Sequence, residues 1–315
     1  MSARVSESTL LPTLMFRAFM SSSGVTSARS AASVVSLTSP FTPSTLLTIR
    51  STLNAAYSRA EHNSEYQYDP SETHAAVLVP LCNVNNKPGI LLEVRGKLRT
   101  HSGEVSFPGG RVDNTDASSL EAALRETHEE VGIHPDQVEI LGRLGPPELS
   151  LGGMRVWPYV GFIHSQPLQS RVTGAAGLTT AAHAGKVGEE HESSHEPLPS
   201  LSLANLVLSQ REVAHAFHLP LLAAVSPPRL HLYHFRGSEP YWSIDVSDII
   251  ASAKDSDQVD VVSSSRAPGT SIEFNNREDP LKRDEVGGGQ EGRLEAWGLT
   301  GWYLTAFFRT LGVYR

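Results

Sequence analysis

The sequence predicts one mixed α/β domain, and three observations along the chain support that fold class. Two apolar runs on either side of a short polar turn predict a β-hairpin. An amphipathic helical pattern follows the hairpin, and further short apolar runs lead to a second helical pattern near the C-terminus. Strands and helices in this order pack as layers around one core, which a chain of 315 residues is long enough to bury.

The first predicted element is an amphipathic helix over residues 42–60, which either Thr42 or Ser44 can cap. Its apolar positions recur at helical spacing and are Leu46, Leu47, Ile49, Leu53 and Ala56. A buried strand then runs over residues 75–82, "NNKPG" makes a turn, and "ILLEVRG" makes the second strand of the hairpin.

A glycine-rich loop over residues 100–115 connects the hairpin to the central predicted helix, "SSLEAALRETHEEVGI". Gly132 stands where this helix should end, because glycine accepts the left-handed backbone of a C-terminal cap. The side chains expected to face the core are Leu120, Ala123, Leu124, Thr127 and Val131.

Four more strands and a last helix complete the predicted domain. The strands are "QVEILGRL", "MRVWPYVGFI", "LHLYHF" and "YWSIDV". The helix is "AWGLTGWYLTAFFRTLG", and its core-facing residues are expected to be Leu299, Trp302, Tyr303, Ala306 and Phe307.

Three polar stretches predict segments outside the packed domain, which is expected over residues 75–315 after a helix and linker over residues 41–74. Residues 1–40 are basic, rich in hydroxyl side chains and nearly free of acids. This composition is typical of an organelle targeting peptide, and the alternative is a disordered tail. Residues 165–200 and 252–293 are small, polar and aperiodic, so they are expected to be loop insertions without a core of their own.

Composition argues against several classes of function. A net charge of −8 does not indicate a broad basic surface for nucleic acid. Cys82 is the only cysteine, which excludes an internal disulfide and a zinc–cysteine cluster. No apolar run approaches the roughly 20 residues that are needed to span a bilayer.

The central helix carries an acidic cluster, Glu126, Glu129 and Glu130, directly after Arg125. Residues three and four apart share one helix face, so these carboxylates repel one another unless a cation neutralises them. A hard divalent ion such as Mg2+ prefers oxygen ligands and also contacts substrate phosphates. The alternative is an exposed helix with an ordinary Arg125–Glu129 ion pair one turn apart.

The surrounding residues favour the metal site. "RETHEEVGI" resembles the end of the Nudix hydrolase box, with threonine at a usually apolar place. Upstream, "LLEVRGKLRTHSGEVSFPGGRVDNTD" resembles the extended signature of the coenzyme A diphosphatase branch of that family, and the likeness is continuous over residues 91–133. The resemblance implies a Nudix α/β/α sandwich with a mixed β-sheet.

Several positions depart from the family pattern. Asp116 stands where the general Nudix box has glutamate, and one extra residue then separates the loop glycine from Arg125. This spacing is usual in the coenzyme A branch. Glu93 and Glu104 replace the usual threonine and glutamine of that branch, and Glu104 places extra negative charge beside the expected substrate loop.

The resemblance assigns roles residue by residue. It implies that a Mg2+ or Mn2+ ion is held by the carbonyl of Gly110 and by the three glutamates, Glu126, Glu129 and Glu130. Arg125 would orient the glutamates, with Asp116 as an acid further from the metal. Glu212, in "SQREVAHAF", is a candidate for the base that activates water, and the alternative for Glu212 is an exposed position on a helix surface.

A cluster of potential cations precedes the loop and consists of Arg95, Lys97, Arg99 and His101. In a coenzyme A enzyme they would bind the 3′-phosphate and the diphosphate, and otherwise they form a solvated strand end. Phe107 and Gly109 complete the predicted substrate site, although Phe107 is expected to pack within the loop and not to stack on substrate.

The resemblance therefore implies Mg2+-dependent hydrolysis of the diphosphate of coenzyme A or acyl-CoA. The products would be adenosine 3′,5′-bisphosphate and 4′-phosphopantetheine or its acyl form. One alternative is a Nudix enzyme for another nucleoside diphosphate derivative, and a second is a non-catalytic nucleotide-binding Nudix module. The mitochondrial matrix is the expected compartment, with the peroxisome as the alternative, and the oligomeric state is left open.

Overall fold

The structure is a computed structural model, and it describes residues 33–63, 69, 71–96, 103–168, 194–236, 239–252, 261–263 and 293–314. The α-helices among these residues are α1 (Pro43–Asn63), α2 (Ser119–Val131), α3 (Leu221–Ala224), α4 (Ser247–Ser252) and α5 (Gly298–Thr310). Residues 1–32 and most of the two expected insertions lie outside the described residues, so the domain boundaries stay predictions.

The described residues also form twelve strands. They are β1 (His74–Val84), β2 (Lys87–Arg95), β3 (Val105–Ser106), β4 (Gly109–Arg111), β5 (Val138–Arg143), β6 (Glu148–Leu149), β7 (Arg155–Ile163), β8 (Val213–Pro220), β9 (Leu230–Phe235), β10 (Glu239–Asp245), β11 (Val261–Ser263) and β12 (Glu295–Ala296).

Nine of these strands form one mixed sheet. Its path is β11–β8–β2–β1–β7–β5, and the short strands β3, β4 and β6 pair with β2, β1 and β7. The centre of the sheet is parallel, because β1 and β7 run side by side from His74–Arg155 to Leu81–Phe162. Strands β12, β10 and β9 form a second, antiparallel sheet that the sequence pattern did not separate from the first.

The β1–β2 hairpin confirms the predicted turn. Asn85 and Asn86 both have positive φ angles, 50° and 59°, as a two-residue hairpin turn of the primed type requires. Asparagine tolerates this backbone better than most residues, which is why "NN" marks the turn. The β2 strand begins directly after it, at Lys87, and so includes the proline and glycine that were expected in the turn.

Helices cover both faces of the main sheet. On β1, Val79 and Leu81 belong to the core that also contains side chains of α1 and α5. The alternate residues Leu78 and Cys82 belong to a second core, which α2 completes. Because neighbouring strand residues point to opposite faces, this alternation defines a three-layer arrangement and confirms the α/β/α sandwich.

The first helix begins as predicted and buries most of its expected stripe. The Thr42 hydroxyl accepts a hydrogen bond from the Thr45 N–H at 3.2 Å, which caps the first turn. Leu46, Ile49 and Leu53 are buried, whereas Leu47 faces solvent, because it lies about 100° around the helix from Leu46.

The buried face of the last helix differs from the predicted one. Leu299, Trp302 and Ala306 are only half-buried, because α5 packs against the main core and also against the small sheet. On the side of the small sheet, Thr305 Oγ1 accepts a hydrogen bond from the Trp242 N–H at 2.9 Å. The buried residues of this helix are Gly301, Tyr303, Leu304, Thr305, Phe307 and Phe308. Among the described residues, no helix combines the length and apolarity that a bilayer crossing requires.

Candidate active site

Helix α2 is fixed at both ends, and this sets the direction of its acidic residues. The Ser118 hydroxyl accepts from the Glu121 N–H at 3.2 Å at the start, and Gly132 ends the helix with φ of 75°. The predicted stripe is correct for Ala123, Thr127 and Val131, while Leu120 and Leu124 are only half-buried. The sequence pattern missed the buried members Ala122 and Glu130.

The loop glycines bring Glu130 onto the backbone of β4. The Gly109 N–H donates to Glu130 Oε2 at 2.7 Å. Gly109 has a φ of 147°, and a Cβ there would lie 2.3 Å from the carbonyl oxygen of Ala76, so only glycine fits. The pairing of β4 with β1 thus holds the loop directly against a buried carboxylate of α2.

Gly110 makes a second close approach to the helix. A Cβ at this position would lie 2.5 Å from the carboxyl carbon of Glu126, so the Glu126 carboxylate rests on the Gly110 backbone. The fold therefore brings together three of the four predicted metal ligands, Gly110, Glu126 and Glu130. The fourth, Glu129, is exposed and contacts Arg125 only at 3.4 Å.

Arg125 is the centre of an ion-pair network. Its guanidinium donates to both oxygens of Asp116, at 2.9 and 3.0 Å, and to Glu126 Oε1 at 2.9 Å. These hydrogen bonds lower the pKa of Asp116 and raise that of Arg125. This geometry fits the predicted role of Arg125 in orienting the glutamates. Asp116 in turn fixes the position of the Arg125 guanidinium.

A second cluster lies on the neighbouring strand β2. Glu93 is fully buried, and its Oε1 accepts from the Ser106 hydroxyl at 3.0 Å. Arg95 Nη1 lies 3.7 Å from Glu93 Oε1 and 3.8 Å from Glu130 Oε1, so it bridges the two carboxylates. Glu93 Oε2 and Arg95 Nε are buried and have no hydrogen-bond partner among the described residues.

The buried carboxylates resist ionisation. Burial is the main cause that raises the pKa of Glu93 to about 8 and that of Glu130 to about 9, and their mutual repulsion adds to the latter. Burial also raises the pKa of Glu126. The cluster therefore holds more carboxylate groups than Arg95 and Arg125 neutralise.

These donors fit a hard divalent cation, although they are not arranged around one point. Within the described part of the chain, no three His, Cys, Asp or Glu side chains stand close enough together to hold a metal ion. The buried Oε2 of Glu93 is nevertheless an acceptor without a hydrogen-bond partner among the described residues, which a bound cation would satisfy. Glu126 and Glu130 are the residues placed to hold such an ion, and the metal site stays a prediction.

Glu212 lies close to this cluster. It sits in a turn before β8, where its carbonyl accepts from the Gly96 N–H at 2.6 Å, and not on a helix surface. Its negative charge contributes to the raised pKa values of Glu93 and Glu126, and its Oε2 accepts from the Ser209 hydroxyl at 3.3 Å. The role of Glu212 as the base stays a prediction.

The predicted substrate residues are only partly described. Lys97, Arg99 and His101 lie outside the described residues. Phe107 is buried in the hydrophobic core, as expected for a loop-packing residue, and it also lines a cavity.

That cavity has a volume of about 630 Å³ and lies beside the loop. One part of its wall, here called the arginine end, consists of Arg95, Gly109, Gly110 and Arg111. Another part, here called the apolar end, consists of Leu149, Leu151, Met154, Phe235, Trp297 and Leu299. The volume lies within the range of about 300–1,000 Å³ that is usual for small-molecule sites.

Sequence reasoning missed three features of the site. Arg111 directly follows the double glycine, and this local signal could have indicated it. Glu93 stood out as an acid within an apolar run, but its burial depends on the neighbouring strands. The apolar end had no local signal, because β9, β10 and α5 reach it only through the tertiary fold.

Residues 72–171 match the NUDIX domain family model. The chain is 56% identical over 90 residues to an uncharacterised Nudix hydrolase, NudL, of Enterobacter sp. (strain 638), which is 28% of this chain and 46% of the relative. A protein of the same name from Klebsiella aerogenes is 51% identical over 94 residues, which is 30% of this chain and 77% of the relative. The chain belongs to the Nudix family.

The chain spans about half the length of most of these curated relatives, so the activity of the whole protein is a matter for proposal. It is also similar to the NUDIX domain of Shewanella oneidensis NrtR, solved in complex with ADP ribose. That match has 20% identity, covers 36% of this chain and 86% of the other, and has a TM-score of 0.27, which is too low to carry an argument.

Proposed function

We propose that this protein hydrolyses the diphosphate of coenzyme A or acyl-CoA with the help of Mg2+ or Mn2+. The observation that carries the proposal is the contact between α2 and the double-glycine loop. There, Glu130 and Glu126 meet the backbones of Gly109 and Gly110 beside a cavity with arginines in its wall. Carboxylates, a closely approaching backbone and arginines are the groups that diphosphate hydrolysis needs in one place.

The side chains divide the work. Glu126 and Glu130 would hold the divalent ion. Arg125 donates a hydrogen bond to Glu126 and is itself fixed by its hydrogen bond to Asp116. When bound, the ion supplies polarisation of a phosphoryl oxygen and acidification of a coordinated water. Arg95 and Arg111 line the arginine end and would offer positive charge to the substrate's phosphate oxygens.

The reaction adds the elements of water across one P–O–P bond. Glu212 is the proposed base, because its charge acts on the same cluster and its carboxylate can take the proton from the attacking water. The water oxygen forms the new bond to phosphorus, and the bridging oxygen leaves with the other phosphate. Adenosine 3′,5′-bisphosphate and (acyl-)4′-phosphopantetheine are the proposed products.

Two features support coenzyme A above other diphosphates. The sequence over residues 91–133 resembles the coenzyme A diphosphatase signature, and the cavity has a charged and an apolar end. The main competitor is hydrolysis of another nucleoside diphosphate derivative. A non-catalytic nucleotide-binding module is disfavoured, because such a module has no need of the Arg125–Glu126 contact next to Gly110.

The decisive experiment compares purified protein on coenzyme A, ADP-ribose, NADH and 8-oxo-dGTP in the presence of Mg2+. We expect the highest kcat/KM for coenzyme A or its thioesters. The matched variant is Glu130→Gln, which keeps the shape and an acceptor for the Gly109 N–H but loses the charge. An enzyme should lose most turnover in this variant and stay folded, whereas a binding module should keep its ligand affinity.

We also propose that residues 1–40 direct the protein to the mitochondrial matrix, with the peroxisome as the competing compartment. Support comes from the excess of arginine, serine and threonine over acids in this stretch. The location of a fluorescent fusion in cells, with and without residues 1–40, tests this compartment. Mitochondrial signal that persists without them would contradict the proposal.

A further inference from the structure

Arg95 lies between the acidic cluster and the cavity. Its Nη1 is 3.7 Å from Glu93 Oε1 and 3.8 Å from Glu130 Oε1. The same side chain lines the arginine end of the cavity and is 26% exposed. One guanidinium therefore adjoins a proposed metal ligand and also the space where the substrate phosphates would lie.

The two ion pairs hold Arg95 loosely. Both are longer than the roughly 2.7–2.9 Å of a charge-assisted hydrogen bond between nitrogen and oxygen. The Nε of Arg95 is buried without a hydrogen-bond partner among the described residues, and so is Glu93 Oε2. Arg125, in contrast, makes hydrogen bonds of 2.9 and 3.0 Å to Asp116 and one of 2.9 Å to Glu126. The Arg95 guanidinium can therefore leave its two carboxylates at much lower cost than Arg125 can leave its own.

The neighbouring contacts confine such a movement to the Arg95 side chain. The Arg95 N–H donates to the Glu104 carbonyl at 2.9 Å, and the Arg95 carbonyl accepts from the Gly103 N–H at 3.0 Å. Glu93 is fixed as well, because it is fully buried and its Oε1 accepts from the Ser106 hydroxyl at 3.0 Å. The backbone and Glu93 thus stay in place while the guanidinium turns.

A divalent ion on Glu130 would compete with Arg95 for one carboxylate, and like charges at such short range repel strongly in a partly buried site. We propose that Arg95 is an exchangeable counterion. It neutralises Glu93 and Glu130 in the metal-free protein, and it turns into the cavity and binds a phosphate oxygen of the substrate when a divalent ion occupies the cluster. The inference rests on the proposed function and adds a coupling to it, because metal binding then releases Arg95 for the substrate.

Arg95→Met tests the competition, since methionine is a flexible unbranched side chain without charge. Titration of Mn2+ by electron paramagnetic resonance, without substrate, should give an affinity at least about tenfold higher than that of the wild type. A residue that only supports the fold would lower this affinity when it is replaced. An unchanged or lower affinity overturns the inference alone, whereas a wild-type protein that binds no Mn2+ overturns the proposed function as well.

The same variant should bind phosphate less well. Adenosine 3′,5′-bisphosphate, the proposed nucleotide product, is the probe, and calorimetry in Mg2+ should show its affinity for Arg95→Met reduced by about tenfold or more. Opposite effects on metal and on phosphate distinguish an exchanging arginine from one with a structural role. An undiminished affinity for the bisphosphate overturns the inference.

Arg229→Met is the matched control. Its side chain is 21% exposed, close to the 26% of Arg95, and it pairs with Asp248 outside the acidic cluster. This variant should leave the affinities for Mn2+ and for the bisphosphate unchanged.

Phenylglyoxal, which modifies arginine side chains, tests the movement in the wild-type protein and so does not depend on the folding of a variant. Mass spectrometry should show faster modification of Arg95 in Mg2+ than in EDTA, because the guanidinium then leaves its two carboxylates. Arg229 should react at the same rate under both conditions. A rate at Arg95 that is unchanged or lower in Mg2+ overturns the inference.

Discussion

The guanidinium of Arg125 holds the carboxylate of Asp116 with two hydrogen bonds, Nε to Oδ1 at 2.9 Å and Nη2 to Oδ2 at 3.0 Å. Its remaining nitrogen, Nη1, donates to Glu126 Oε1 at 2.9 Å. Asp116 thereby fixes the arginine that fixes a proposed metal ligand. Only the planar guanidinium can make all three contacts at once.

Arg125→Lys should therefore disturb the site while keeping the charge. Lysine has three N–H donors, but they share one nitrogen, so it cannot reproduce the three contacts that Nε, Nη1 and Nη2 make from separate positions. We expect Mn2+ affinity and kcat to fall by about 10–100-fold, as is usual when a partner of a metal ligand is lost. Titration of Mn2+ by electron paramagnetic resonance measures the affinity independently of turnover.

Arg50→Lys is the matched control for this prediction. Arg50 also donates to a carboxylate, Glu139 Oε1 at 2.8 Å, but on the α1 side of the sheet. It should leave metal affinity and kcat unchanged. An Arg125→Lys protein with normal values for both would show that the network has no part in the site.

Gly110→Ala should be more damaging to activity than to stability. The added methyl group would lie 2.5 Å from the Glu126 carboxyl carbon, so this side chain must move away from the loop. A displacement of about 1 Å in a catalytic group costs on the order of 10²-fold in rate. Steady-state assays should show that loss while circular dichroism stays unchanged.

Gly145→Ala controls for the loss of a glycine as such. A Cβ at Gly145 meets no atom within 4 Å, so this variant should keep full activity. If Gly110→Ala is as active as Gly145→Ala, Glu126 does not act from the position seen here.

The sequence alone predicted the layers well because local signals specify them. The positive φ angles of Asn85 and Asn86, the Thr42 cap and the Gly132 stop are each determined by the residue at that position. The buried face of α5 was harder to predict, because this helix contacts two sheets. Trp302, for example, packs against the main core but is only half-buried.

The acidic cluster was predictable and its surroundings were not. Helical spacing alone places Glu126 and Glu130 one turn apart. That Glu93 joins Glu130 through Arg95 depends on the pairing of β4 with β1, which brings Gly109 and its partner Glu130 up to the β1–β2 hairpin, and this pairing has no mark in the local sequence. For the same reason, the sequence alone could not establish that Glu212 lies near the acidic cluster.

The raised pKa values predict how metal-free protein responds to pH. An unfolded chain releases these protons near the ordinary glutamate pKa of 4.5, whereas folded Glu93 and Glu130 keep theirs up to about pH 8 and 9. The folded state thus binds more protons in this window, so its stability falls as pH rises from about 4.5 towards 9. Thermal unfolding in EDTA across this range measures the effect.

Glu93→Gln should reduce that pH dependence, because it removes one titrating group and the repulsion on Glu130. The Tm of the wild type should fall between about pH 5 and pH 9. The Tm of Glu93→Gln should also fall, but its decrease should be smaller by at least about 4 °C. Glu239→Gln, at an exposed position on β10, should behave like the wild type. Parallel curves for all three proteins would contradict the assignment of the protons to this cluster.

Arg111 should act on substrate binding more than on the chemical step. It follows the double glycine, its side chain is exposed, and it lines the arginine end of the cavity. A charged hydrogen bond to phosphate is worth enough that Arg111→Ala should raise KM for coenzyme A by about tenfold or more, with a smaller change in kcat. Arg111→Lys should recover part of the affinity, because lysine keeps the charge without the planar fork.

Arg59→Ala, on the exposed surface of α1, is the control and should leave KM unchanged. A KM that does not respond to Arg111→Ala would place the substrate phosphates elsewhere in the cavity.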